Sequence, residues 1–151
     1  MTPARMRTAA VVAGLLCLTA FPAAAQVEVK DAWVRGTVDG QTSTGAYMRL
    51  RSPEGAALVG VECPLAGAAE LHEMKMDGDV MRMRGLKRLE LPAGKTIELN
   101  AKSFHIMLTA LKRTLSKGDR VPLRLKIEAK DKSLGTVEVD AEVRDLTSHP
   151  H

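Results

Sequence analysis

Aromatic side chains are scarce in this 151-residue chain, with one Trp, one Tyr and two Phe making 3% of the whole. Beyond residue 25 they reduce to Trp33, Tyr47 and Phe104. So few rings give no stacking platform for bases. A strong charge of one sign is also missing. Lys and Arg number 22 against 18 Asp and Glu, and setting aside Arg5 and Arg7 in the N-terminal segment leaves 20, an excess of only +2. Spread along the chain, that excess forms no electrostatic stripe for nucleic acid. Histidine is sparse as well, with four in total, two of them in the last three residues. No Gly-rich nucleophile turn and no HExxH segment accompanies them, so nothing supplies the nucleophile and base of a hydrolase or transferase. The chain does not read as an enzyme. With 45% apolar and 26% charged residues it fits a globular protein rather than a disordered one.

Cysteine is nearly absent. Cys17 lies in an N-terminal stretch where Arg5 and Arg7 precede an apolar run from Thr8 to Phe21 and the small residues Ala23, Ala24 and Ala25. That order of charge, apolar run and small residues predicts a secretory signal over residues 1–25, cleaved after Ala25. The run is shorter than the roughly 20 apolar residues a membrane span needs. Cys17 follows Leu15 and Leu16 rather than a small residue, which argues against lipid attachment there. The exported chain then keeps Cys63 alone in an oxidising compartment, and a lone cysteine closes no internal disulfide. Cys63 is expected to serve as a small buried hydrophobe. An apolar core must hold the fold.

Helical periodicity is absent too. No window of about ten residues carries an apolar stripe of period 3.6, whereas period-two or β-branched stretches recur at Val27 to Val34, Ala46 to Leu50, Ala57 to Cys63, Glu70 to Met76, Val80 to Arg84, Thr96 to Leu99, Phe104 to Thr109, Val121 to Ala129 and Thr136 to Val143. Turn pairs such as Asp39-Gly40, Glu54-Gly55, Asp77-Gly78, Ala93-Gly94 and Gly118-Asp119 separate them. Nine strands at this spacing predict an all-β, antiparallel β-sandwich in one domain, residues 26–146, with a loose tail at 147–151.

Methionine, by contrast, is concentrated. Met74, Met76, Met81 and Met83 fall within ten residues, directly after His72. If Asp77-Gly78 is a two-residue hairpin loop, Met76 faces Asp79, Met74 faces Met81 and His72 faces Met83, all on one side of the ribbon. The other side carries Glu73, Lys75, Val80 and Arg82. A second pair occurs in Phe104 to Leu108, where alternation sends His105 and Met107 to one face, roughly 6.5–7 Å apart at Cα. Together His72, Met83, His105 and Met107 would supply two imidazoles and two thioethers. Thioether sulfur selects a soft ion, Cu(I) above all, whereas zinc sites use thiolate, imidazole and carboxylate. A methionine ligand also cannot be lost to disulfide formation in an oxidising compartment. The competing reading is pliable core filler, since methionines on one face often only pack and a histidine in an apolar strand is often structural. Met74, Met76 and Met81 divide between a hydrophobic rim and a second weak site or entry ramp. The terminal Ser148-His149-Pro150-His151 offers two imidazoles and a carboxylate that suit Cu(II).

The spacing of the four donors, His-x10-Met-x21-His-x-Met, resembles the signature of the periplasmic PCu(A)C-type copper chaperones. The resemblance extends through Asp31-Ala32-Trp33-Val34-Arg35, Ala46-Tyr47-Met48, Glu70-Leu71-His72-Glu73, Leu91-Pro92-Ala93-Gly94 and Leu111-Lys112. It implies a cupredoxin-like β-sandwich that binds Cu(I) near one end and passes it, directly or through a thiol-bearing copper-transfer protein, to the copper centres of a respiratory cytochrome oxidase. His72, Met83, His105 and Met107 carry over as ligands. Electron transfer does not carry over, because a blue-copper site needs a thiolate between its histidines and axial residue, and Cys63 precedes His72. Copper sequestration for resistance would use the same site, and a β-sandwich interaction module without metal is the rival of a different class.

Overall fold

The computed structural model describes residues 26–145. The expected signal at 1–25 and the tail with His149 and His151 lie outside the described residues. Ten strands follow one another without a helix among the described residues: β1 (Glu28–Arg35), β2 (Thr44–Arg51), β3 (Ala56–Glu62), β4 (Ala66–Asp77), β5 (Val80–Leu86), β6 (Leu89–Leu91), β7 (Thr96–Leu99), β8 (Phe104–Leu111), β9 (Arg120–Ala129) and β10 (Leu134–Arg144). Nine of them are the alternating stretches expected from sequence. The tenth, β6, is only Leu89-Glu90-Leu91, too short to show a period, and it is held by burying both leucines against β3.

Hydrogen bonding runs in the order β5-β4-β8-β7-β2-β1-β10-β9-β3-β6, with β8 also pairing β2. Pairing is antiparallel except at β1–β10 and β7–β8, which are parallel. Strand β9 shows the driving force most clearly. Val121, Leu123, Leu125 and Ile127 are buried, and Pro122, Arg124 and Lys126, which alternate with them, are exposed. The apolar faces of β1, β2, β4 and β8 on one half meet those of β3, β9 and β10 on the other, in one core that includes Val34, Met48, Ile106 and Leu58. The sheet thereby folds over on itself as a sandwich. Cys63 is a free, buried thiol, and burial raises its pKa, the opposite of what a reactive thiolate needs.

The β4–β5 hairpin extends past this core. All of β5 up to Gly85 is exposed, and β5 forms an edge of the sheet. Here the structure corrects the expected register. The loop is Gly78-Asp79, and the rungs are Asp77 with Val80, Met76 with Met81, Met74 with Met83 and His72 with Gly85. Gly78 has φ of 63°, while positive φ among the described non-glycine residues is confined to Asp31, Ala110 and Lys132. A turn with positive φ only at its first central position is the II′ form, which puts glycine first in the loop rather than second. The slip moves the pairing by two residues, so every side chain keeps its expected face and only its partner changes.

Candidate metal centre

The two central histidines meet through β8, which lies on the far side of β4 from β5. His72 on β4 stands directly opposite His105 on β8. Their neighbours Leu71 and Ile106 also pair but point into the core, so alternation drives the imidazoles to the other face. The ring centroids are 5.8 Å apart at an interplanar angle of 63°. From β5, Met83 reaches across this rung and its Sδ lies 3.2 Å from His105 Nε2. Two donors of one tetrahedral ion sit on the order of 3.5 Å apart, so this pair needs little adjustment to share a metal.

Hydrogen bonding leaves the imidazoles ready to accept an ion. Nδ1 of His72 and Nδ1 of His105 are both buried without a hydrogen-bond partner. An unmet buried nitrogen normally costs stability, and a metal on Nδ1 of His72 would satisfy it, whereas the nitrogen of His105 that faces Met83 is Nε2. His72 Nε2 lies 3.2 Å from Glu70 Oε2. An ionised carboxylate only accepts, so Nε2 carries the proton and the lone pair falls on Nδ1. This places Glu70 behind His72 as an orienting group of the kind that fixes the tautomer of a metal-binding histidine. Sequence reasoning passed over Glu70; its signal is an acid two residues before a histidine on the same strand face. His105 is only 6% exposed. Burial, and then the neighbouring His72, hold its pKa below the ordinary 6.5, with the Ser103 backbone opposing in part. Both causes favour the neutral imidazole, the form that binds metal.

Met107 occupies the next rung on the same face, opposite Glu70 of β4 and Gly45 of β2. The structure thus brings His72, His105 and Met83 into one cluster, while Met107 shares their face and makes no hydrogen bond with them. Glycine borders the cluster on two sides. Gly85 faces His72 and has no atom within 4 Å of where a Cβ would be, which leaves the His72 rung open toward β5. At Gly45 a Cβ would lie 2.5 Å from the Tyr47 hydroxyl and 2.8 Å from Cζ, so the phenol lies flat over the Gly45 backbone on the rung of Met107. Trp33 packs on the same tyrosine, with ring centroids 4.8 Å apart. Gly45→Ala should therefore push the phenol off the sheet and cost about 1–3 kcal/mol, read from urea unfolding. A midpoint equal to that of the native protein would mean that Tyr47 moves aside freely.

Among the described residues no three His, Cys, Asp or Glu side chains converge as a metal cluster. Only counting thioethers turns this face into a multidentate site, and the chemistry is then soft. The model of the LpqE-like family matches residues 27–143 of the chain. The chain belongs to that family, one of PCuAC type. A curated relative, "Putative lipoprotein Lxx21020" of Leifsonia xyli subsp. xyli, is 30% identical over 128 residues, covering 78% of this chain and 77% of that one. The solution structure of CuI-DR1885 from Deinococcus radiodurans is 33% identical with a TM-score of 0.62, over 83% of each chain. The copper-bound PCuAC domain from PmoF2 is 18% identical, with a TM-score of 0.65 over 82% of this chain and 96% of that domain, and at that identity it speaks to fold alone. The expected cupredoxin-like sandwich is thus the fold of this PCuAC family member. Its solved relatives include copper-bound forms.

Proposed function

We propose that this protein is an exported copper chaperone that carries Cu(I) as cargo. Its ligands are His72, Met83, His105 and Met107, with Glu70 orienting His72. One observation carries the reading: a methionine sulfur sits 3.2 Å from Nε2 of a buried, neutral-favouring imidazole whose rung partner His72 has a buried Nδ1 without a partner. Two thioethers and two neutral imidazoles stabilise Cu(I) without adding charge, and they offer a hard divalent ion little. The name of the Deinococcus radiodurans relative supports Cu(I) as the ion, and that of the Leifsonia xyli relative supports export as the route. The working compartment is the periplasm, reached through the signal at residues 1–25. The receiving partner is a thiol-bearing copper-transfer protein or the copper subunit of a respiratory cytochrome oxidase, and the role is carriage rather than catalysis. The tail imidazoles of His149 and His151 are proposed as a separate Cu(II) site.

A carrier must also release its cargo. A site of imidazoles and thioethers should hold Cu(I) less tightly than a pair of thiolates, so transfer to a dithiol acceptor runs downhill. Met83 is 48% exposed on an edge strand, so an incoming thiolate can displace it while the histidines still hold the ion. Stopped-flow mixing of Cu(I)-loaded protein with a dithiol copper carrier tests this. The rate should rise with acceptor concentration and exceed spontaneous release. A rate pinned at the release rate would describe a store, the sequestration role, rather than a chaperone.

The depressed pKa of His105 gives a pH signature. The unfolded chain takes up a proton near 6.5 while folded, copper-free protein resists doing so. Between the ordinary and the depressed value the unfolded state binds more protons, so stability falls with falling pH. Copper-free protein should lose up to about 1.4 kcal/mol per pH unit below pH 6.5, and urea unfolding from pH 7.5 to 5 measures it. His105→Ala should flatten this part of the profile, and an unchanged slope in that variant would assign the effect elsewhere.

A further inference from the structure

We propose that Met74, Met76 and Met81 form a second Cu(I) site, made of thioethers alone, at the outer end of the β4–β5 hairpin, and that it feeds the histidine site through Met83. The inference rests on the reading of the histidine site as a Cu(I) carrier and extends it to how the cargo enters. The corrected register pairs sulfur with sulfur, Met76 opposite Met81 and Met74 opposite Met83, on the face that carries His72. Directly opposite residues have Cβ atoms about 4.5–5.5 Å apart, and successive rungs on one face lie roughly 6.5–7 Å apart. Three rotatable bonds let each methionine adapt, so the sulfurs of Met74, Met76 and Met81 can close on one ion.

Exposure separates this group from core filler. Met76 is 56% exposed and Met81 45%, while Met74, the third member, is half-buried on the side of the histidine rung. Soluble proteins seldom leave contiguous apolar surface of this kind without a use. The charges of the ribbon are turned away from it. On the opposite face Glu73 pairs with Arg84 at 3.0 Å and Asp77 with Arg82 at 2.9 Å. No carboxylate of β4 or β5 beyond Glu70 therefore shares the methionine face, and a hard cation has no ligand there. Met83 joins the two sites, because it is the rung partner of Met74 and the sulfur in contact with His105. Three thioethers without an imidazole should hold Cu(I) more weakly than the inner set, so an ion captured outside moves inward.

The test is anaerobic titration with Cu(I) supplied as its acetonitrile complex, competed by a chromophoric chelator and followed by NMR of the methionine methyl groups. The first equivalent should move the Met83 and Met107 methyls, and a second, weaker equivalent should move those of Met74, Met76 and Met81. In the Met76→Leu/Met81→Leu double variant, which keeps the apolar volume at exposed positions, the second equivalent should vanish, the first should keep its affinity, and loading of the inner site should slow several-fold. In His105→Ala the outer site should persist, with an affinity unchanged from pH 7.5 to 5 because thioethers do not titrate. A native protein that binds one equivalent with those three methyls unmoved, or a double variant that retains the second equivalent, overturns the inference and leaves the proposed function standing. A first equivalent that His105→Ala does not weaken overturns the proposed function instead.

Discussion

His105→Ala is expected to lower the affinity of the inner site for Cu(I) by more than ~100-fold, the upper end of what loss of a group that merely supports a ligand costs. His105 stands at the centre of the cluster. It is the rung partner of His72, the contact of Met83 and the same-face neighbour of Met107. Without it the remaining imidazole keeps Glu70 behind it, and Met83 loses the nitrogen with which it would share the ion. The fold should survive, because the substitution also removes a buried nitrogen that lacks a partner. Competition against a chelator of known affinity measures the loss, and urea unfolding of the same variant shows that the scaffold stands. An affinity within ten-fold of the native value would remove His105 from the ligand set.

The next residue along the strand should behave in the opposite way. Ile106 is fully buried and pairs with Leu71 on one side and Ala46 on the other. Ile106→Ala removes three methyl or methylene groups from the middle of the core and should destabilise copper-free protein by about 2–5 kcal/mol, lowering the melting temperature on the order of 10 °C. Cu(I) stoichiometry should hold at low temperature, since His105 and Met107 project from the other face. Adjacent residues would thus divide stability from binding. Loss of Cu(I) binding in a folded Ile106→Ala protein would show that the two faces are mechanically coupled after all.

The faces of this fold were legible in the sequence and the partners were not. Alternation at Val121 to Ala129, and the placing of His105 and Met107 on one side of their strand, follow from the two-residue period alone. Register depends on which residue begins the turn. Asp77-Gly78 and Gly78-Asp79 differ by a single step, and the backbone preference of glycine for the first position of a II′ turn decides between them. The error was harmless to the face and changed the neighbours, from histidine facing methionine to methionine facing methionine. The His72–His105 rung was beyond reach, because it depends on β8 docking beside β4, a non-local pairing that local patterns do not encode. Gly45 and Tyr47 lie two residues apart on one face of β2, and what the two-residue period does not encode is the side-chain rotamer that lays the phenol back over the glycine. The shortness of β6 hid that strand, whose two leucines read as loop until β3 is set beside them.

The parallel pairing of β1 with β10 fixes when the molecule can become itself. Trp33, Val34 and Arg35 pair on one edge with Glu142, Val143 and Arg144, so although β2 can pair the other edge early, this edge of β1 waits for β10. Closing so long a loop costs entropy before any contact repays it, which makes assembly of such a sheet slow compared with local structure. A chain emerging in order from its N-terminus cannot complete this core until nearly all of it has appeared. The histidine and methionine rungs, which draw on β4, β5 and β8, are backed by that core and mature with it. Under the proposed export, delivery as an unfolded thread would be no obstacle, because the complete core would not yet have assembled on the way. For the exported Cu(I) carrier proposed above, loading would then follow arrival, and a newly made chain would not strip copper from the compartment where it was synthesised.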